Sequence, residues 1–327
     1  MSKAVGLRSV SRSGLAVLAA YVALSLTWGS SFFSIKIAVN GLSPQQLVLG
    51  RLVLGAVTLN LILLVTRRRW PRDLTLVRHL AVVGFLLCVL PLLLFAWAAQ
   101  HIPSGLSSIY NATTPLMTMA IGVAVLPAEK MGPLRSAGIL VGAVGILIVL
   151  APWQLLQQLN ELSGTGLAQL ACLVGTASYG LAFTYLRRFV TGRYDCDAAT
   201  VAAVQVTLSA GMMLVVSPFF IATPMRFDTG IVLSLVVLGV LASGIAYIWN
   251  TLIVNRWGAT PASTVTYVSP LVGVALGIIA LDESLSWNQP VGAVIVIAGI
   301  MLSQGLIGGA SEKKAPAADR PLDRSIR

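Results

Sequence analysis

A short phrase of this sequence, Pro115, Glu129, Gly138 and Gly145, is written a second time as Pro270, Glu283, Gly292 and Gly299, each time threading a pair of apolar runs. The glutamates and glycines repeat at an offset of 154 residues and the prolines at 155, while Trp28, Phe32 and Lys36 return as Tyr179, Phe183 and Arg187 at 151. A chain patterned in this way is a duplicated membrane protein. Duplicated hydrophobic segments are the signature of secondary transporters, whose substrate site lies where the halves meet near the bilayer midplane.

Apolar residues fill 57% of the 327 positions and charged residues only 10%, so the chain is solvated largely by lipid. Spans of about 20 residues consume nearly all of its length, leaving no room for a separate soluble domain. A net charge of +11 would suggest a nucleic-acid partner in a soluble protein. Here the basic residues fall between apolar runs and report orientation instead, so no nucleic acid is expected. The expected partners are the lipid bilayer and a small-molecule substrate, and a monomer is compatible with the sequence. Cys88, Cys172 and Cys196 are an odd set, two of them inside apolar runs, which argues against a disulfide or thiolate metal site. His79 and His101 lie near helix ends with no metal-ligating partner, so neither metal nor cofactor is expected. Lys3, Arg8 and Arg12 before an apolar run resemble a signal peptide, but that run contains Trp28 and Lys36 and continues too far, so it reads as a retained first helix.

Charged, Pro and Gly-containing breaks divide the chain into ten helical spans, at roughly 14–39, 44–65, 76–100, 103–125, 134–151, 164–188, 197–220, 229–254, 259–281 and 287–308. The expected fold is an all-α membrane protein of ten transmembrane helices in two inverted five-helix repeats. Five is odd, so the halves enter the membrane from opposite sides. With a cytoplasmic N-terminus, 19 of the 22 basic residues fall in inside segments; Arg226 alone lies in an outside loop, and Lys36 and Arg51 lie within spans. Both termini are therefore expected to be cytoplasmic. The domains are a cytoplasmic segment at 1–13, repeats at 14–151 and 164–308, and a disordered basic tail at 309–327.

Pro115 stands near the centre of the fourth span and removes the donor for the carbonyl of Asn111; Pro270 does the same for Thr266. Such backbone is tolerated at membrane depth where protein or a water-filled cavity satisfies it. Asn111, Thr114 and Thr118 share one face with Ser107, and Thr266 and Ser269 occupy the matching places on the ninth span. Packing kinks, with hydroxyls bonded to their own helices, are the bland alternative. Trp28 and Phe32, four residues apart, and Tyr179 and Phe183, at the same spacing, each line one helical face. With Ser30, Ser31 and Ser178 nearby, they suit a small amphiphilic metabolite; Trp249, Asn250 and Tyr267 are further candidates. Lys36 and Arg51 are the strongly charged residues expected within the membrane. Lys36 is close enough to its helix end to snorkel. Arg51, about 10 Å inward, needs carbonyls, water or an anion. The small residues Gly138 and Gly142 give the fifth span a close-packing face, and the tenth is similar.

Trp28-Gly29-Ser30-Ser31-Phe32 with Lys36, then Arg51, Pro115 and Glu129, and their partial repetition through Pro270 and Glu283, resemble the EamA-type drug/metabolite transporter superfamily. The ten-span length is similar to that of YddG-like bacterial amino-acid exporters. The resemblance implies export of neutral or aromatic amino acids by alternating access in a bacterial inner membrane, and no midplane cluster of His, Asp, Glu or Cys supports an enzyme. Antiport of anionic metabolites such as phosphate esters or nucleotide sugars, with Lys36 and Arg51 as the clamp, is the alternative. Two departures stand out. Ala128 and Asp282 precede the glutamates where the family commonly has Gly. The first span lacks the buried glutamate through which small multidrug relatives couple protons to cationic drugs.

Overall fold

The computed structural model describes residues 12–125, 132–151, 164–258, 262 and 264–306, and among them it is all-helical, without a strand. Seven helices are long and apolar enough to cross a membrane: Gly14–Ala38, Pro44–Val65, Leu74–Ala98, Pro133–Leu150, Thr165–Phe189, Ala198–Phe219 and Thr229–Trp257. Val265–Leu281 and Asn288–Ser303 are shorter apolar helices. Glu129, the junction between the halves and the C-terminal tail lie outside the described residues.

Local chemistry explains the boundaries. The first apolar run is helix α1 (Arg12–Gly29) followed by α2 (Ser31–Ala38). At their junction the hydroxyls of Ser30 and Ser31 both donate to the Thr27 carbonyl, back-bonding that bends helices. Helix α3 (Pro44–Val65) begins with a capping box of Ser43 and Gln46 and a proline in its first turn. Helix α4 (Leu74–Gly84) is capped by Asp73 and runs through a π-helical turn, Phe85–Val89, into α5 (Leu90–Ala98). The wider turn stands just before Pro91, which cannot donate to the ladder. The expected fourth span is interrupted: α6 (Ser104–Asn111) and α7 (Thr114–Val125) are separated by Ala112 and Thr113 ahead of Pro115. Helix α8 (Pro133–Leu150) completes this half.

The second half comprises α9 (Thr165–Phe189), α10 (Ala198–Val216) capped by Asp197, and α11 (Thr229–Val236) capped by Asp228. A π-helical stretch, Val237–Ile245, joins α11 to α12 (Ala246–Trp257); α13 (Val265–Leu281) and α14 (Asn288–Ser303) follow. Pro270 sits inside α13 without breaking it.

The two halves interlock through glycines. A Cβ on Gly138 would lie 2.6 Å from the Gly299 carbonyl, and one on Gly299 would lie 2.7 Å from that of Gly138. Gly145 and Gly292 exclude a Cβ reciprocally, at 2.9 and 2.8 Å from each other's carbonyls. Helices α8 and α14 therefore cross antiparallel, backbone against backbone, as the small-residue faces predicted. A second exchange lies deeper. A Cβ on Gly84 would lie 2.7 Å from the Gln205 carbonyl, and one on Gly239 would lie 3.1 Å from the Arg51 carbonyl.

Candidate functional site

The second helix of each half packs on the third helix of the other, and at this junction stands Arg51. Its Nε donates to the Ser243 hydroxyl at 2.9 Å. Around it, close enough for electrostatic interaction, are Tyr179 on α9, Tyr247 on α12 and Cys88 in the first π-turn. Ser243 belongs to the second π-helical stretch, so both irregular turns deliver a side chain to the same guanidinium. The Gln205 side chain lies beside Tyr247. Arg51, Tyr179 and Tyr247 are surrounded by protein yet retain accessible surface, the combination expected of residues lining an internal space.

An aromatic line approaches this cluster from the first helix. Phe32 meets Phe95 edge-on at 5.3 Å between centroids, and Phe95 stacks with Tyr179 at 6.3 Å. The Trp28 indole donates to the Ala242 carbonyl at 3.4 Å, beside Ser243. Trp28, Phe32, Arg51 and Tyr179 are thus brought together from three separate stretches of sequence.

The other expected residues are placed differently. Phe183 is not buried with Tyr179: it is 42% exposed. Tyr267 donates to Gln304 at 2.5 Å and packs near Leu116, Val296 and Ile300, apart from Arg51. Trp249 joins Trp28 against Leu24 and Ile253. Asn111 and Asn250 are partly buried, and Ser31 donates to the Thr27 carbonyl of α1. The Asn111 carbonyl released by Pro115 accepts a hydrogen bond from the Thr114 hydroxyl at 2.7 Å, leaving one of its two lone pairs. Thr118 and Ser269 likewise bond within their helices. Thr266 is partly buried one turn before Pro270.

Lys36 reaches backbone at an inter-helix turn. Its Nζ donates to the carbonyls of Ala99 at 2.6 Å and Ile102 at 3.0 Å, at the C-terminal end of α5. Glu283 stands nearby and caps the next helix, accepting from Ser104 N at 2.7 Å, Ser104 Oγ at 2.9 Å and Gly105 N at 3.0 Å. The two charges thus hold opposite sides of one inter-helix turn, one from each half of the chain. Asp282 ends α13 with a φ of 50°, the left-handed region that favours glycine. This accounts for the glycine that the family commonly carries before its glutamate.

Ser243, Tyr247 and Gln205 were not singled out from sequence, although a signal existed. At the repeat offset of 154, Arg51 corresponds to Gln205; at 155, Cys88 corresponds to Ser243 and Leu92 to Tyr247. Among the described residues no cluster of His, Cys, Asp or Glu could hold a metal ion.

The profile of the EamA-like transporter family matches residues 14–151 and 166–304. The chain belongs to the EamA-like transporter family. It is a multi-pass membrane transporter and not an enzyme. Each EamA match contains one member of the pairs Arg51/Gln205, Cys88/Ser243 and Trp28/Tyr179. The transporter YoaV of Bacillus subtilis, named as uncharacterized, is 24% identical over 288 residues, covering 88% of this chain and 96% of its own. A protein of Escherichia coli named "Probable amino-acid metabolite efflux pump" is 25% identical over 297 residues, covering 85% and 91%. A solved structure, 17% identical, aligns with a TM-score of 0.58 over 89% of this chain and 97% of that one, a likeness of fold alone.

Proposed function

We propose that this EamA protein is a secondary transporter that exports neutral or aromatic amino acids across the bacterial inner membrane. It works by alternating access of two inverted five-helix halves, residues 14–151 and 164–308, with both termini cytoplasmic. The observation that carries the reading is the junction itself: a guanidinium, two tyrosines and an aromatic line assembled from both halves, a lining with an apolar body and few polar groups. Reciprocal, antiparallel crossing of α8 and α14 supports inversion, because equivalent residues exchange partners across an axis perpendicular to the helices. The E. coli relative's name agrees with the substrate class.

Antiport of anionic metabolites through a Lys36–Arg51 clamp is less well supported. Lys36 is occupied by two carbonyls and stands beside Glu283, so a clamp would have to break both arrangements. No carboxylate is expected to carry an obligatory proton.

The test is counterflow in proteoliposomes against labelled neutral amino acids, sugar phosphates and organic cations. Saturable exchange of large neutral amino acids is expected; exchange of sugar phosphates alone would overturn the reading. Within the proposed site, Asn111→Ala should weaken transport about two- to twelve-fold, the loss of one neutral hydrogen bond, while leaving insertion intact. Unchanged transport of every substrate would remove Asn111 from the site.

A further inference from the structure

A guanidinium carries five N–H donors and no acceptor. Arg51 uses one of them, Nε, on Ser243. Its terminal nitrogens have no hydrogen-bond partner among the described residues, yet they are not sealed from accessible space. The nearby side chains add donors rather than negative charge. The Oε1 of Gln205, beside Tyr247, is unpaired. The Tyr179 hydroxyl likewise has no hydrogen-bond partner among the described residues, and the ion pair found among those residues, Arg68–Asp197, lies elsewhere. An unpaired cation held inside a membrane protein is costly unless an anion completes it.

We propose that Arg51, Tyr179 and Tyr247 form the seat for a carboxylate group of the transported molecule. This rests on reading the junction as the transport site and adds which part of the substrate is recognised there. Ser243 fixes the plane of the guanidinium through Nε, and the two terminal nitrogens then present the parallel pair of donors that fits a carboxylate. The aromatic line from Phe32 through Phe95 to Tyr179 receives the apolar body. One cation balances one negative charge. A phosphate monoester, close to a dianion at neutral pH, would leave a buried charge uncompensated, and an organic amine would meet the guanidinium as a like charge.

Binding to the purified full-length protein in nanodiscs, followed by isothermal titration calorimetry, tests this. The probes are L-phenylalanine, phenylpyruvate, phenethylamine and phenyl phosphate. The two monocarboxylates should bind, and phenethylamine and phenyl phosphate should bind at least about 10-fold more weakly. Arg51→Gln should weaken the monocarboxylates by about 10- to 100-fold, and Arg51→Lys by less, since it keeps the charge without the fork. Phenethylamine binding as tightly as phenylalanine, no binding of either monocarboxylate, or unchanged monocarboxylate affinity in Arg51→Gln would each overturn the seat. If Arg51→Gln does not assemble, the ligand series on the unaltered protein still decides. Amino-acid counterflow that survives Arg51→Gln would remove the seat and leave the transport reading standing; counterflow of sugar phosphates alone would remove the transport reading itself.

Discussion

Lys36 and Glu283 show what single charges do in a protein whose surroundings cannot solvate them. Each finds backbone: the ammonium takes the carbonyls that end α5, and the carboxylate takes the amides that begin α6. Charge-assisted bonds of this kind are worth about 1.5 to 3 kcal/mol each, and a partner left dry costs as much again. Lys36→Met should therefore lower the melting temperature in detergent while still inserting; an unchanged melting curve would show that water replaces the ammonium without cost. Asp282 supplies the converse case. Held at a φ of 50°, it occupies a conformation that a residue with a Cβ adopts at a cost. Asp282→Gly should raise stability by up to about 1 kcal/mol in the same assay, and a destabilised variant would mean that the aspartate side chain contributes more than its backbone costs.

Among the elements, the α8–α14 seam is the tightest contact between the halves. A Cβ on Gly299 would sit 2.5 Å from the Gly142 backbone nitrogen, where no side chain can move aside. Gly299→Ala should cost about 1–3 kcal/mol or force the helices apart, seen as aggregation or early elution in size-exclusion chromatography. Gly211 is the matched control. It lies within α10 with nothing within 4 Å of an added Cβ, so Gly211→Ala should be tolerated or stabilise by about 0.5–1 kcal/mol. Equal behaviour of the two variants would sink the close-packing account. The π-helical turns at Phe85–Val89 and Val237–Ile245 occupy corresponding places in the two halves and bring Cys88 and Ser243 toward Arg51.

For the molecule as a whole, the distribution of positive charge and the reciprocal helix crossings bear on one arrangement, two halves of opposite orientation. In a background without native cysteines, a cysteine at Ser286 should react with an impermeant thiol reagent from outside intact cells, and one at Gly192 should not. The reverse pattern would turn the protein over in the membrane.

The sequence by itself determined that the chain is helical, membrane-embedded and duplicated, because hydrophobic length, breaker residues and repeat offset are properties of contiguous sequence. It also pointed to Trp28, Phe32, Arg51 and Tyr179, which carry uncommon chemistry for such a chain. The tertiary structure decided which of these meet. Phe183, at the same spacing from Tyr179 as Phe32 from Trp28, is left exposed while Phe32 is buried, since helical periodicity defines a face without saying what that face touches. The Asn111 carbonyl acquired a hydroxyl three residues away, a local choice between rotamers. Gln205, Ser243 and Tyr247 entered the site only through packing of α3 and α10 against the opposite half, where contacts between distant residues, and not local pattern, set position.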